Sequence, residues 1–148
     1  MGSGIQPGMM KYCVIGNIVK EHIDEERIVR YGTLPFPGGR KVYISTRFWD
    51  DVGEVTVMGL NRFKSKYILE RVPLNLIENI RASKTFDLRV LKLMQNDFEY
   101  RDMWFLYKEE DRIRSEQYAQ MLKLFKAGDA TVFEKYYRDF MYQFYSRK

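Results

Sequence analysis

Gly38–Ser45 reads GGRKVYIS and Glu54–Arg62 reads EVTVMGLNR, and these two segments decide the fold. Apolar and polar residues alternate in both, so that in the first segment Val42 and Ile44 fall on one face. A period of two is typical of a half-buried β-strand. The preceding turn, Pro35–Gly39 (PFPGG), combines prolines that fix φ with glycines that permit positive φ. The sequence therefore predicts two β-strands after a tight bend.

Further strands are predicted on both sides of this pair. The apolar run Tyr12–Val19 (YCVIGNIV) comes first, and Arg27–Tyr31 (RIVRY) can add a short strand. Tyr67–Val72 (YILERV) and Asn79–Phe86 (NIRASKTF) are predicted to be extended, and Pro73–Ile77 between them predicts one helical turn. This part of the chain is therefore predicted to be β-structure.

Five short strands, a glycine-rich turn and one helical turn before the last strand resemble the SH3-like small β-barrel. The segments that carry the resemblance are Gly38–Ser45, Glu54–Arg62 and Tyr67–Asn79 (YILERVPLNLIEN), and it covers about half of the chain. It implies a five-stranded barrel over residues 10–86. The acidic-aromatic segment and the tryptophan pair with which signalling SH3 domains bind polyproline are absent, so proline-rich binding is not implied.

Residues 87–148 change to a helical period and predict an appendage packed on the barrel, which makes the fold class α+β. Asp87 is predicted to cap a short helix. Three apolar residues are predicted to share one face of that helix: Leu88, Leu91 and Met94. The aromatic segment Phe98–Tyr107 (FEYRDMWFLY) is predicted to pack as a plug on the barrel or the helices.

Two longer helices are predicted to form an aromatic-rich antiparallel hairpin. The first, Glu109–Lys126, ends before Gly128, and a capping box of Thr131 and Glu134 opens the second. In the first helix, Tyr118, Met121, Leu122 and Phe125 recur at helical spacing. The stripe of the second helix consists of Phe133, Tyr136, Tyr137, Phe140, Met141 and Phe144. This stripe is the buried face of the hairpin, the seam of a homodimer or a groove for a partner.

Composition limits the chemistry that the chain can perform. Among 148 residues there is one cysteine, Cys13, and one histidine, His22, so ordinary zinc constellations are excluded. His22 lies in an acidic loop and is interpreted as solvated. We predict no enzyme activity, no metal and no cofactor.

Residues 1–9 read as a flexible leader or expression remnant. Without a signal or membrane segment, the expected location is the cytoplasm, with no membrane partner.

Two surfaces are candidate binding sites. Arg47, Phe48 and Trp49, between two strands, form a candidate protein-contact site, although Trp49 could equally be core. The second candidate is a basic strand-turn surface interleaved with Phe63, which could hold a nucleic-acid backbone and stack bases. Its members are Arg40, Lys41, Arg62, Lys64, Lys66, Tyr67 and Arg71. The alternative is a solvated sheet edge whose lysines oppose edge-to-edge aggregation.

Net charge is +5, a surplus that can steer an acidic partner without requiring one. We therefore predict a non-catalytic protein-interaction module of unknown partner, comparable in size and character to immunity proteins and small adaptors. The alternative is a nucleic-acid-binding small barrel. A third hypothesis, an SH3-like ribonuclease toxin using Arg and Tyr, has no residue set to support it.

Overall fold

The computed structural model describes residues 11–19, 36–85, 87–96 and 109–146. The elements in chain order are β1 (Lys11–Ile18), β2 (Lys41–Trp49), β3 (Glu54–Leu60), β4 (Tyr67–Pro73), a 3-10 helix (Leu74–Leu76), β5 (Ile77–Thr85), α1 (Leu88–Asn96), α2 (Glu109–Lys126) and α3 (Ala130–Ser146). The α+β class is thereby confirmed. The leader, the His22 loop, the strand predicted at Arg27–Tyr31 and the plug predicted at Phe98–Tyr107 lie outside these residues.

The strands form one antiparallel sheet in the order β4-β3-β2-β1-β5. After the 3-10 helix, β5 crosses to pair with β1, so that β4 and β5 are the two edges of the sheet. Within the described residues the sheet is open. Among these residues, no pairing between the edge strands β4 and β5 closes it into the predicted barrel. Helix α2 packs on β1, β5 and the 3-10 helix. There its side chains contribute to a hydrophobic core that, in a closed barrel, opposing strands would provide.

The larger hydrophobic core lies between one face of the sheet and the helices α2 and α3. On the sheet it includes Val42, Ile44, Val55, Val57 and Val72, because alternate residues of each strand point to this face. The helices contribute Tyr118, Met121, Leu122, Phe133 and Phe140, all buried. Aromatic contacts join the two helices: the Phe125 and Phe133 ring centroids are 5.1 Å apart.

A smaller core covers the opposite face of the sheet under α1. It contains Cys13, Ile15, Tyr43 and Met58 from the strands and Val90 from α1. The predicted apolar face of α1 was wrong at Leu88, whose side chain is 58% exposed. Val90, two residues further on, is buried in the smaller core instead.

Aspartate side chains cap the first turns of helices α1 and α3. Asp87 Oδ1 accepts a hydrogen bond of 2.9 Å from the Arg89 amide, as the predicted cap requires. Helix α3, however, begins at Ala130, and Asp129 Oδ1 accepts from the Val132 amide at 3.3 Å. The predicted cap at Thr131 was therefore wrong, because Asp129 precedes it with the same capping chemistry. In the described part of the chain, no helix has the length and apolarity needed to cross a membrane.

Candidate functional site

The loop Asn61–Lys66 (NRFKSK) connects β3 to β4 and is held by hydrogen bonds from one asparagine. Asn61 Oδ1 accepts from the Ser65 amide at 2.9 Å, and Asn61 Nδ2 donates to Ser65 Oγ at 2.8 Å. The Asn61 amide also donates to the Lys66 carbonyl at 2.9 Å, which closes the base of the loop. We call these six residues the tip loop. Its conformation is set by its own polar groups.

Phe63 stands on the tip loop with 88% of its surface exposed, the largest exposure of any large hydrophobic side chain in the described residues. Its neighbours Arg62, Lys64 and Lys66 are also exposed. Leaving a phenylalanine in water forgoes roughly 2 kcal/mol of burial free energy. A solvent-facing aromatic ring flanked by cations can combine stacking with the binding of anions.

Arg40 and Lys41 extend this basic region from the neighbouring strand. Val42 pairs with Gly59, so the start of β2 lies beside the end of β3. Arg40 Nη2 donates to the Asn61 carbonyl at 3.2 Å, which ties its guanidinium to the tip loop. The Lys41 ammonium lies 5.3 Å from the centroid of the Tyr43 ring. We define the basic tip surface as Arg40, Lys41, Arg62, Phe63, Lys64 and Lys66.

Tyr67, a member of the predicted basic set, lies under α1 and outside the basic tip surface. Its hydroxyl donates to Asp87 Oδ2 at 2.9 Å. Burial, together with the Asp87 carboxylate, raises the pKa of Tyr67 above its ordinary value. The Arg89 guanidinium carbon lies 5.3 Å from the Tyr67 ring centroid. Tyr67 therefore anchors the start of α1.

Arg71, the other remaining member, lies at the opposite end of the sheet. Its Nε is 2.7 Å from Glu54 Oε1, and its guanidinium carbon is 3.8 Å from the centroid of the Trp49 ring. Glu54 is buried, so the ion pair neutralises a carboxylate that the fold has removed from water. Five of the seven predicted basic-set residues thus belong to the basic tip surface.

The three residues predicted as a protein-contact site point to different surroundings. Phe48 packs edge-on against two helix residues, with centroid distances of 5.0 Å to Phe125 and 6.1 Å to Phe133. Trp49 pairs with Glu54 across β2 and β3, on the face away from these helices. Arg47, which precedes Phe48 in the chain, is exposed. Phe48 therefore belongs to the packing between sheet and helices, while Trp49 stays half-buried beneath Arg71.

Sequence reasoning gave the residues of the basic tip surface but not the group that organises it. Asn61 was not among the predicted residues, although asparagine side chains commonly hydrogen-bond their own turn. Its two side-chain bonds to Ser65 and its carbonyl contact with Arg40 make it the centre of the surface. An asparagine directly before a short basic run is the sequence signal that could have identified this residue.

Two other features of the described residues bear on the chemistry of the chain. No group of three or more His, Cys, Asp or Glu side chains is close enough to hold a metal ion within the ranges described. A cleft lies where α2 ends beside β5, and Lys126 Nζ donates there to the Ile77 carbonyl. Burial lowers the pKa of Lys126, and the Glu78 charge opposes this shift. This lysine satisfies a carbonyl at the start of an edge strand, which is a structural task.

Comparisons with protein-family models, with curated proteins and with solved structures returned no match to this chain.

Proposed function

We propose that this protein is a non-catalytic binding module that holds nucleic acid on the basic tip surface. The observation that carries the proposal is the position of Phe63, 88% exposed and flanked by cations on a loop fixed by Asn61. Basic side chains interleaved with an aromatic ring are the combination with which proteins bind a phosphate backbone and stack its bases.

Charge supports the same proposal. The five cations of the basic tip surface come from two adjacent strand ends, and the Arg40 contact with Asn61 joins the two groups. The acidic residues Glu54 and Glu70 lie further along β3 and β4, and the buried Glu54 is paired with Arg71. A concentrated positive field at one end of the sheet attracts phosphates and accelerates their association.

We also propose that the sheet has the topology of an SH3-like barrel. The order β4-β3-β2-β1-β5, with a 3-10 helix immediately before the last strand, supports assignment of the sheet to an SH3-like barrel topology. The contacts of Phe125 and Tyr118 on α2 with Phe133 and Phe140 on α3 support an aromatic helical hairpin. In this arrangement helices α2 and α3 cover one face of the sheet, and the basic tip surface at the end of the sheet stays accessible.

A salt series tests the nucleic-acid proposal. The wild-type chain should bind a labelled mixed-sequence oligonucleotide at low salt, and the logarithm of its affinity should fall linearly with the logarithm of salt concentration. The triple variant Arg62→Gln, Lys64→Gln, Lys66→Gln should bind more weakly and with a shallower slope, by about one unit for each lost phosphate contact.

The matched control is Lys92→Gln, Lys123→Gln, Lys135→Gln, which removes three exposed charges outside the basic tip surface. This control should keep at least most of the wild-type affinity. Equal losses in the two triple variants would mean that net charge alone attracts the oligonucleotide. Absence of binding at low salt would refute the proposal.

A second candidate function is protein binding at the turn between β2 and β3. The half-buried Trp49 ring stacks on Arg71 beside Val52, whose side chain is 46% exposed. Tryptophan and arginine are enriched among the residues that dominate binding energy at protein interfaces. This observation supports the protein-interaction hypothesis, with Trp49 as the anchor and Phe48 as its internal support.

Trp49→Ala tests this second candidate in affinity capture from the source cell. A partner that binds at this turn should be lost with Trp49→Ala and with Val52→Asp, while Phe63→Ala should retain it. Retention of every partner by Trp49→Ala would assign the ring to packing alone.

A further inference from the structure

We infer that the nucleic acid held by the basic tip surface is a single strand or an unpaired end, with one base stacked on Phe63; this inference rests on the proposed function above. It concerns the ligand class, which the charges alone do not distinguish. The deciding feature is the chemistry of the Phe63 side chain, which is 88% exposed on the tip loop.

Phe63 offers a π face and no hydrogen-bonding group. Its ring is carried by a loop that three bonds close: Ser65 amide to Asn61 Oδ1, Asn61 Nδ2 to Ser65 Oγ, and Asn61 amide to the Lys66 carbonyl. Because the loop is already ordered, little conformational entropy remains to be lost when a ligand contacts the ring. The backbone that carries the ring is thus formed before a ligand binds, and the exposed ring can serve as a stacking platform.

A continuous duplex offers no free base face on which the Phe63 ring could stack. Its bases present their edges in the grooves, and these edges are read by hydrogen-bond donors and acceptors, while an apolar side chain contacts only the thymine methyl group. To reach a base face, Phe63 would have to unstack a base step. An unpaired base has a free face, and stacking on an aromatic side chain tolerates any base.

The cations match a strand that passes over the ring. Arg62 precedes Phe63 and Lys64 follows it, so positive charge lies on both sides of a stacked base and can meet the phosphates before and after it. Arg40, held on the Asn61 carbonyl at 3.2 Å, continues the positive charge toward β2. A short, weakly sequence-selective footprint follows from one stacking position and a few phosphate contacts.

Fluorescence anisotropy with two ligands tests the inference: a short mixed-sequence single strand and a closed-end duplex of the same composition. The wild-type chain should prefer the single strand. Phe63→Ala should weaken single-strand binding by about 5- to 150-fold and leave duplex binding unchanged. Phe63→Trp should restore single-strand affinity, and its added fluorescence should be quenched by the stacked base. Lys64→Gln should weaken both ligands to a similar extent.

The other outcomes separate this inference from the proposed function. If both ligands bind equally and Phe63→Ala changes neither, the inference is overturned and nucleic-acid binding stands. If Phe63→Ala weakens duplex and single strand alike, the ring acts as a duplex wedge, which also overturns it. If neither oligonucleotide binds, both proposals are overturned; binding to phosphatidylserine vesicles that Phe63→Ala abolishes would then assign the surface to a lipid membrane.

Discussion

The Tyr118 hydroxyl donates a hydrogen bond of 2.7 Å to the backbone carbonyl of Ser45, and this bond joins helix α2 to strand β2 where the strand is irregular. Between the pairs Ile44–Val57 and Phe48–Val55, β2 contains two more residues than β3. The Ser45 carbonyl is therefore released from regular pairing, and the helix satisfies it. The Tyr118 ring stacks on Phe140 at 5.2 Å, so one side chain connects sheet, α2 and α3.

Tyr118→Phe should lower the free energy of unfolding by about 1–3 kcal/mol, because it removes the bond and leaves a buried carbonyl without that donor. The ring and its stacking on Phe140 are retained, so packing should change little. Urea denaturation followed by far-UV circular dichroism measures the loss. Tyr142→Phe, at a side chain 77% exposed, is the matched control and should stay within about 0.5 kcal/mol of wild type. Equal stability of the two variants would contradict the assigned bond.

The Asp87 carboxylate should make stability depend on acidity. Burial alone raises its pKa, but the hydrogen bonds from Tyr67 and from the Arg89 amide, with the Arg89 charge, outweigh burial and hold the pKa of Asp87 below its ordinary value of 3.8. A depressed pKa in the folded state stabilises the protein when the group is ionised. This contribution is complete above about pH 5 and is lost as the pH falls through the folded-state pKa.

Asp87→Asn tests this dependence, because asparagine is also a good helix cap and keeps an oxygen for the Arg89 amide. The variant should be less stable than wild type at neutral pH, and the difference should shrink as the pH approaches about 3. Chemical denaturation at several pH values measures it. Asp50→Asn, in the exposed turn after β2, should show a smaller change. A constant difference between wild type and Asp87→Asn at all pH values would refute the role of the charge.

Gly16 allows β1 to approach β5 where their register shifts. A Cβ at this position would lie 2.5 Å from Ile77 Cγ2 and 3.1 Å from the Glu78 carbonyl oxygen. Gly16→Ala should therefore destabilise the protein by about 1–3 kcal/mol through overpacking. Ile77→Ala should also destabilise it, by about 2–5 kcal/mol.

The double variant tests whether the clash is the cause. Removing the Ile77 side chain makes room for the new methyl group, so Gly16→Ala with Ile77→Ala should be more stable than the sum of the single effects predicts, by about 0.5–3 kcal/mol. Strict additivity would mean that the Ile77 side chain is not the cause, and would leave the Glu78 carbonyl oxygen, 3.1 Å from the new Cβ, as the obstacle.

Local sequence patterns were sufficient for several elements. The helix Glu109–Lys126 has the predicted bounds, and the strand Glu54–Leu60 lies within the predicted segment Glu54–Arg62. The helical turn before β5 is a 3-10 helix at Leu74–Leu76. In each case, alternation, helical spacing or a proline acts within a few residues of the element it specifies. The extension of β2 to Trp49 was not predicted, because it depends on pairing with β3 across two additional residues.

The candidate site required information that no local pattern contains. Arg40 and Asn61 are 21 residues apart in sequence, and only the register of β2 on β3 brings them together. Likewise, Arg71 resembles the tip-loop cations in sequence, yet the length of β4 carries it to the far end of the sheet, where it pairs with Glu54. Residue type therefore predicted the chemistry of the basic tip surface, and strand register determined its membership.

Lys64 has a φ of 56°, a left-handed conformation in which glycine is favoured over other residues. Lys64→Gly should raise the free energy of unfolding by about 0.5–1 kcal/mol, because relief of the left-handed strain exceeds the entropy that glycine adds to the unfolded chain. The same change should weaken oligonucleotide binding and make its salt dependence shallower, because a phosphate contact is lost. Denaturation and an anisotropy salt series on one sample measure both effects.

Lys66→Gly is the control for this trade between stability and binding, because it deletes the same side chain from the same loop where φ is not positive. It should weaken binding and also lower stability, since glycine there adds entropy to the unfolded chain without relieving strain. If Lys64→Gly raises stability, Lys66→Gly lowers it, and both variants bind the oligonucleotide more weakly, then the strained backbone at Lys64 is retained because the lysine charge contributes to binding. If Lys64→Gly is destabilising, or binds as wild type does, the lysine is not held there for binding.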